Sequence, residues 1–422
     1  MQNLWLNVNL CRCSLRIRRG GVDILAGSGD LVERYLTQNR AKHAQNGHFE
    51  MILTCFGDFC VSQLVQKAVW NIQDISYVCR VEICKDMVRF GFIGTGRISD
   101  WVYKGASEDP RIKITAVCSR TEEAAQAFID RHPEIKGARI YTSVEEMAKD
   151  PDVDAAYIGT PNQTHHSYCL TLLNAGKHVL CEKPFSINAN EAREMAEAAR
   201  KNKRLLMEAM ISTFNPNFRA IVDKIEEIAP VRQYSSYFCQ YSSKYEALKK
   251  GIVASCFQPK TAGSLRDIGI YTLYPLLSVF GRPNSIKADL TPYETPEGVT
   301  DIHGTMQLHY GEMTASLVFS KVCDSFQPTE IAGENGNLII DEIRIARKAE
   351  IVYHIPPTSG LGPKAGRTLL SEGLEHDAYY YEMKEFADLV EAGETESKIN
   401  SLDTSIIAME IIDEALKQNG LC

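Results

Sequence analysis

From residue 88 onward, short apolar runs alternate with amphipathic stretches. Val88–Ile93, Ile112–Cys118, Ala155–Gly159, His178–Cys181 and Leu205–Glu208 are β-rich runs of the length expected for strands covered on both faces. Between them, Glu122–Arg131, Val144–Lys149, His166–Ala175 and Ala189–Asn202 carry apolar residues at helical spacing. Ser143 with Glu146 has the form of a capping box, in which a serine oxygen and a glutamate side chain satisfy free amides at a helix start. Gly176, after Ala175, reads as a helix stop. Strand–helix alternation of this kind predicts a doubly wound parallel sheet with right-handed crossovers.

After about residue 230 the pattern changes. Gln233–Cys239, Ser285–Leu290, Thr305–His309 and Thr314–Ser320 read as strands with no long helix between them, and Asn335-Gly336 signals a tight hairpin. This predicts a large, mainly antiparallel open sheet with one face covered. His376–Ala392 and Thr404–Gln418 carry helical periodicity. The fold class expected is therefore α/β, with a parallel-sheet domain over 87–210 and a second α/β domain over 211–422.

Residues 1–86 lack this regularity and are expected to be a poorly organised extension. The first 20 residues hold Arg12, Arg16, Arg18 and Arg19 and no acid, which superficially resembles an organelle-targeting segment. The charges follow the apolar stretch instead of preceding it, against a secretory signal. Met87 stands directly before the first strand and reads as the natural start, so the preceding segment is assigned no function.

Composition narrows the picture further. A chain of 422 residues accommodates two cores. With 46 basic and 54 acidic residues it gives no electrostatic reason to expect nucleic acid. It has no run of about 18 uninterrupted apolar residues, so no membrane span is expected. Of 13 cysteines, several stand singly in apolar runs, as Cys118 and Cys181 do, and read as buried thiols in a reducing, cytoplasmic setting. There is no CxxC pair and no cluster at metal-ligand spacing, so no metal is expected.

The strongest chemical signal is the turn from Gly94 through Gly96 to Ser99, which follows a strand at once and opens a helix. Gly94 allows the tight turn and Gly96 lets backbone amides, with Arg97 and Ile98 behind them, approach a pyrophosphate. The small Ser99 permits close helix–strand packing. The second strand ends at Ser119-Arg120, about where an NAD enzyme places an acid for the ribose 2′-hydroxyl. An arginine there suits a 2′-phosphate, which points to NADP, with NAD as the alternative.

Two further motifs follow in order: Gly159-Thr160-Pro161-Asn162, leading to His165, and Gly176 through Cys181-Glu182-Lys183-Pro184. With the glycine turn, their joint spacing over 88–422 resembles the Gfo/Idh/MocA oxidoreductases, of the glucose-fructose oxidoreductase and dimeric dihydrodiol dehydrogenase type. The resemblance implies a Rossmann domain and a second domain whose open sheet forms a homodimer or homotetramer contact. It places Lys183 beside nicotinamide and substrate and Glu182 on the nicotinamide ribose, with Thr160, Asn162 and His165 along the cofactor. A second family motif, Asp-x-Gly-x-(His/Tyr), appears as Asp267, Gly269 and Tyr271. Tyrosine at its end follows the dihydrodiol type and sets the polyol-type assignments in question.

Hydride transfer between a carbinol and nicotinamide needs a group to take the hydroxyl proton. Tyr271 can serve if the Lys183 ammonium lowers its pKa, with the two roles exchangeable and Asp267 orienting substrate or lysine. Asn215, Asn217 and Arg219, and Tyr241, Lys244 and Tyr245, are further candidates for the substrate site. His166 and His178 read as structural. The function expected is NADP-dependent hydride transfer at a secondary carbinol or carbonyl of a sugar, polyol or cyclic diol. A non-catalytic dinucleotide-binding regulator and an NAD-dependent glycosidase are the alternatives. Retention of Lys183, Asp267 and Tyr271 speaks against the first, and Ser119-Arg120 against the second.

Overall fold

The computed structural model describes residues 13–19, 22–27, 50–56, 78–84, 87–354 and 366–421. The chain divides into two compact units, Met1–Met87 and Val88–Cys422. In the first, β1 (Cys13–Arg19), β2 (Val22–Gly27), β3 (Glu50–Phe56) and β4 (Val78–Cys84) form a sheet of order β2-β1-β3-β4, with only β3 and β4 parallel. Weak periodicity predicts no organised element here, and the paired backbone differs from that expectation. The alternation of Leu15, Arg16, Ile17 and Arg18 is too brief to stand out as a strand signal.

The second unit opens with β5 (Val88–Ile93), α1 (Arg97–Ala106), β6 (Ile112–Cys118), α2 (Glu122–Arg131), β7 (Arg139–Tyr141), α3 (Val144–Ala148), β8 (Ala155–Ile158), α4 (His165–Asn174), β9 (His178–Glu182), α5 (Ala189–Asn202) and β10 (Leu206–Ala209). All six strands run parallel in the order β10-β9-β8-β5-β6-β7. The winding reverses between β5 and β8, and a ligand crevice opens at the carboxyl ends of the strands at such a point. Side-chain oxygens fix where the helices begin: Thr121 caps α2 through the amide of Ala124 at 3.2 Å, and Asn188 caps α5 through that of Glu191 at 2.9 Å. At α3 the capping box is half formed. Ser143 accepts from the Glu146 amide at 3.3 Å but donates its hydroxyl to Glu145 at 2.6 Å.

The second sheet comprises β11 (Val231–Cys239), β12 (Ser285–Thr295), β13 (Gly298–Tyr310), β14 (Met313–Ser320), β15 (Thr329–Gly333), β16 (Gly336–Ile340), β17 (Lys348–Tyr353) and β18 (Arg367–Glu372). Its order is β12-β13-β14-β11-β15-β16-β17-β18, and only β11 and β14 pair in parallel. Met306 and Leu308 point into the core, while Thr305, Gln307 and His309 stay exposed. One face is thus covered, by α6 (Ile270–Phe280) and α8 (Leu402–Gln418), and the other is polar. α7 (Tyr380–Glu391) returns to α1, so tightly that a methyl on Gly105 would lie 2.4 Å from the Tyr379 carbonyl carbon. Trp101 stacks on Tyr379 beside this crossing, and Arg111 binds Asp388 at 2.5 Å and Glu391 at 3.1 Å.

Asn215 and Asn217, candidates for the substrate site, hold the backbone instead. Asn215 caps the short helix Pro216–Val222, and the buried Asn217 donates to the carbonyls of Ala346 at 3.0 Å and Gly373 at 2.9 Å. The pattern that suggested a ligand site, polar residues at a domain junction, here ties the short helix after β10 to the segments that flank β17 and β18. Asn217→Ala should leave the buried Ala346 carbonyl without this donor, remove a second bond to the part-buried Gly373 carbonyl, and cost about 1–3 kcal/mol. Denaturant melts should show the loss, and dinucleotide titration should show unchanged affinity.

Candidate active site

The crevice at the switch point is lined by backbone before side chains. Gly94 follows β5 with φ +98°, and a methyl there would lie 2.4 Å from the carbonyl oxygen of Gly159, which follows β8. A β-carbon on Gly96, by contrast, would meet nothing within 4 Å, so the chain presents open space at the start of α1. No side chain caps α1, which leaves its first amides free for an anion. The Ser99 hydroxyl is buried with no hydrogen-bond partner among the described residues and packs on Gly159. These features fit the pyrophosphate of a dinucleotide.

A cleft of about 740 Å³ continues from this turn past Ser119, Arg120, Thr142, Ser143 and Thr160. Ser119 is held near Thr95 (Oγ–Oγ1 3.2 Å), and Arg120 stands exposed on the wall. Gly159 and Thr160 also border a second cavity of about 720 Å³, which reaches Arg97, Ile98, Asn162, Glu182, Lys183, Asp267 and Tyr271. The two spaces therefore meet. Asn162 donates to the Thr261 carbonyl at 2.8 Å, tying the β8 loop to the second domain.

The charged floor of the second cavity is assembled from distant segments. Lys183, one residue past β9, donates to the Asp267 carbonyl at 2.7 Å and its carboxylate at 3.2 Å. Asp267 sits in a wide π-type turn, Leu265–Gly269, whose start is anchored by Asp301. That carboxylate accepts from the Ser264 hydroxyl at 2.5 Å and the Leu265 amide at 2.7 Å. Tyr271 lies in the first turn of α6, and its hydroxyl has no hydrogen-bond partner among the described residues.

Residues 88–210 match the family model described as "Oxidoreductase family, NAD-binding Rossmann fold", and residues 226–339 match that of the GFO/IDH/MocA C-terminal domain. The chain is 38% identical over 339 residues to scyllo-inositol 2-dehydrogenase (NADP(+)) IolU of Bacillus subtilis (strain 168), covering 79% of this chain and 98% of that protein. It belongs to the GFO/IDH/MocA oxidoreductase family. It is also 30% identical over 345 residues to the trans-1,2-dihydrobenzene-1,2-diol dehydrogenase of Sus scrofa, covering 79% of this chain and 97% of that one. Its fold matches KijD10, a 3-ketoreductase from Actinomadura kijaniata, with a TM-score of 0.66 and 22% identity over 79% of this chain and 98% of that one.

In this family member the electrostatics differ from the sequence-based expectation at two residues. The Lys183 ammonium lies over the Tyr271 ring, 4.8 Å from its centre, and its hydrogen bonds go to Asp267. Burial, with Glu182 close by, pushes the phenol well above its usual range, so the expected lowering does not occur. His165 lines neither cavity. It is fully buried, its ring nitrogens 2.9 Å from the Pro184 carbonyl and 3.0 Å from that of Thr160, and burial pushes its pKa down. It braces the loop that carries the site. Of the other candidates, Tyr241 and Lys244 border the cavity with Ser242 and Ser243. Tyr245 packs on Tyr241 and Tyr293 behind it, and Arg219 borders neither cavity.

The sequence reading missed Trp101, Phe238, Lys321, Arg344 and Tyr379, all of which border the cavity. They reach it from separate elements and share no local motif. It also missed Glu382, a fully buried carboxyl with no hydrogen-bond partner among the described residues, which burial and neighbouring Glu182 push well up. Burial likewise raises Glu182 to about 7, although it accepts from the Tyr157 hydroxyl at 2.9 Å.

Glu208 on β10 is raised to about 7 by burial, and accepts from the Phe185 amide at 3.0 Å. Its unfolded value is about 4.3, so the folded state binds the extra proton between those limits. Stability from this group is therefore fully present below about pH 4.3 and declines as pH rises to about 7. Glu208→Gln keeps an acceptor for Phe185 and removes the titration. Thermal melts should show the variant more stable than wild type at pH 8, by about 2–4 kcal/mol, and the difference shrinking towards pH 5.

Proposed function

We propose that the chain is an NADP-dependent dehydrogenase/reductase that moves a hydride between nicotinamide and a secondary carbinol of a polyol or cyclic diol. The observation that carries this reading is the junction of two spaces. A glycine-lined crevice suited to a dinucleotide opens, at Gly159 and Thr160, onto a cavity where Lys183, Asp267 and Tyr271 meet. The similarity to an NADP(+)-dependent inositol dehydrogenase supports both cofactor and substrate class. Arg120 on the crevice wall would bind the 2′-phosphate through charge-assisted hydrogen bonds.

Bound NADP supplies the hydride acceptor. The residues of the chain then have to hold the carbinol and take its proton. Because the Tyr271 phenolate is disfavoured by burial and by Glu182, its neutral hydroxyl acts as a donor that orients the substrate oxygen. Lys183 is the group that exchanges the proton, held in place by Asp267. Glu182 would hold the nicotinamide ribose, and Tyr241, Ser242, Ser243 and Lys244 offer polar contacts to a hydroxylated ligand. Proton-transfer machinery of this kind would have no use in a regulator that only binds dinucleotide.

The open polar face of the second sheet is the surface we assign to a homodimer, or to one contact of a homotetramer. Cys118, Cys169, Cys181, Cys239, Cys256 and Cys323 are free thiols, in keeping with a cytoplasmic protein. Among the described residues no helix is long and apolar enough to cross a membrane.

Fluorescence titration of the full chain should give NADPH tighter than NADH by at least about tenfold, with most of that preference lost in Arg120→Ala. Turnover of scyllo-inositol and trans-1,2-dihydrobenzene-1,2-diol should fall by roughly 10³-fold or more in Lys183→Ala and by about 10–100-fold in Tyr271→Phe. A larger loss for Tyr271→Phe would exchange the two roles. Tight NADH binding with no turnover would overturn the dehydrogenase reading.

A further inference from the structure

Lys321 immediately follows β14 and is 2% exposed, yet it carries an ammonium group. Its backbone is pinned on both sides: its amide donates to the Ile302 carbonyl at 2.9 Å, and its carbonyl accepts from the Ser242 amide at 2.9 Å. The side chain passes over the Phe257 ring, 4.4 Å from its centre, and donates to the Cys256 carbonyl at 2.8 Å and to the Oδ2 of Asp267. Asp267 thus has a lysine on each carboxylate oxygen, Lys183 on Oδ1 and Lys321 on Oδ2.

Stability does not account for this arrangement. Withdrawing an ammonium and a carboxylate from water costs several kcal/mol each, and a buried ion pair is often no better than apolar residues of the same volume. One lysine would already neutralise Asp267. The second leaves the cluster with two positive charges against one negative charge, in a cavity wall where charges are poorly screened.

We propose that Lys321 is a positioning residue of the reaction, fixing the Asp267 carboxylate against Lys183 and leaving the three-group cluster with a net positive charge facing the substrate oxygen. This rests on the hydride-transfer reading above. In the reduction direction a hydride supplied by nicotinamide adds to the carbonyl carbon, and the C=O π pair moves onto the oxygen. The Lys183 ammonium gives that oxygen a proton and is left as a neutral amine; oxidation runs the same step backwards from the neutral amine. Negative charge accumulates on that oxygen along the way, and a preorganised positive cluster stabilises it selectively. Asp267 paired with Lys183 alone would leave no net charge to do so.

The titratable and charged groups facing Asp267 are Lys183 from the end of β9, Lys321 from the end of β14 and Tyr271 one turn further along its own segment. Desolvation pushes the Asp267 carboxyl up, but the two ammonium groups outweigh it and bring it down to about 2. In Lys321→Met the balance should tilt back, raising the carboxyl by about one to three pH units. The acid limb of kcat/KM should move to higher pH by the same amount.

The test is steady-state turnover of scyllo-inositol by the full-length protein with NADP, in wild type, Lys321→Met and Lys321→Arg. Lys321→Met should lower kcat by on the order of 10–100-fold with KM for scyllo-inositol changed less than about threefold, and Lys321→Arg should recover part of the loss. NADPH affinity should stay unchanged in both. The carboxyl ¹³C titration of Asp267, assigned with Asp267→Asn, reports the same upward shift without any turnover. If Lys321→Met does not fold, Lys321→Gln, which keeps a donor for the Cys256 carbonyl, replaces it. An Asp267 titration at the wild-type pH, or kcat within twofold of wild type, overturns the proposal. A wild-type chain that oxidises neither polyol nor diol overturns the function proposed above, and the carboxyl titration still decides whether Lys321 holds Asp267.

Discussion

The architecture of the second unit turns on one close approach of backbone to backbone, between Gly94 after β5 and Gly159 after β8. A doubly wound sheet must reverse direction somewhere, and the loops leaving the two strands at that point diverge to opposite faces. Here they start out with no room between them for a methyl group. Every later feature inherits its position from that contact. The start of α1 faces the crevice because Gly94 turns the chain there. The loop after β8 crosses to the second domain because Asn162 holds Thr261, and His165 braces it from behind.

Local signals account for the parts of the structure that the sequence made legible. β5, β6, α2 and α5 have the predicted bounds, because each is a run with a clear period ended by a capping or turn residue. The hairpin at Asn335-Gly336 and the mainly antiparallel second sheet were equally readable. β7 has three residues, too few for a period, and β18 shows no strong alternation. The site was legible where a motif spans consecutive residues, as at Gly94–Ser99 and Glu182-Lys183. It was not legible where tertiary contact alone brings a residue in. Lys321 ends a strand with nothing beside it in sequence to mark it, and Glu382 looks like any acid on an amphipathic helix.

Tyr271 shows how spacing can place a residue correctly and misjudge its chemistry. The motif brought the tyrosine and Lys183 to the same cavity. Contact through the ring face, however, leaves the phenol governed by burial and by the nearby carboxyls Glu182, Asp267 and Glu382. Charge in this cavity is separated by depth. Carboxyls under the cofactor side, Glu182 and Glu382, are pushed towards their neutral forms, while Asp267 is kept ionised by two lysines. A wall with positive charge and few competing anions is the result.

The return of α7 to α1 bears on how the protein is made. The helix that begins at the glycine turn is covered by a segment about 280 residues further along the chain, and the crossing at Gly105 leaves no slack. α8 likewise packs on α5. When a ribosome has released residues 88–210, it has delivered a parallel sheet whose outer helices still lack their last partners. The nucleotide-binding half therefore waits for the very end of synthesis to be finished, and a chain interrupted before residue 380 would expose the apolar seam along α1 to whatever chaperone or neighbour meets it first.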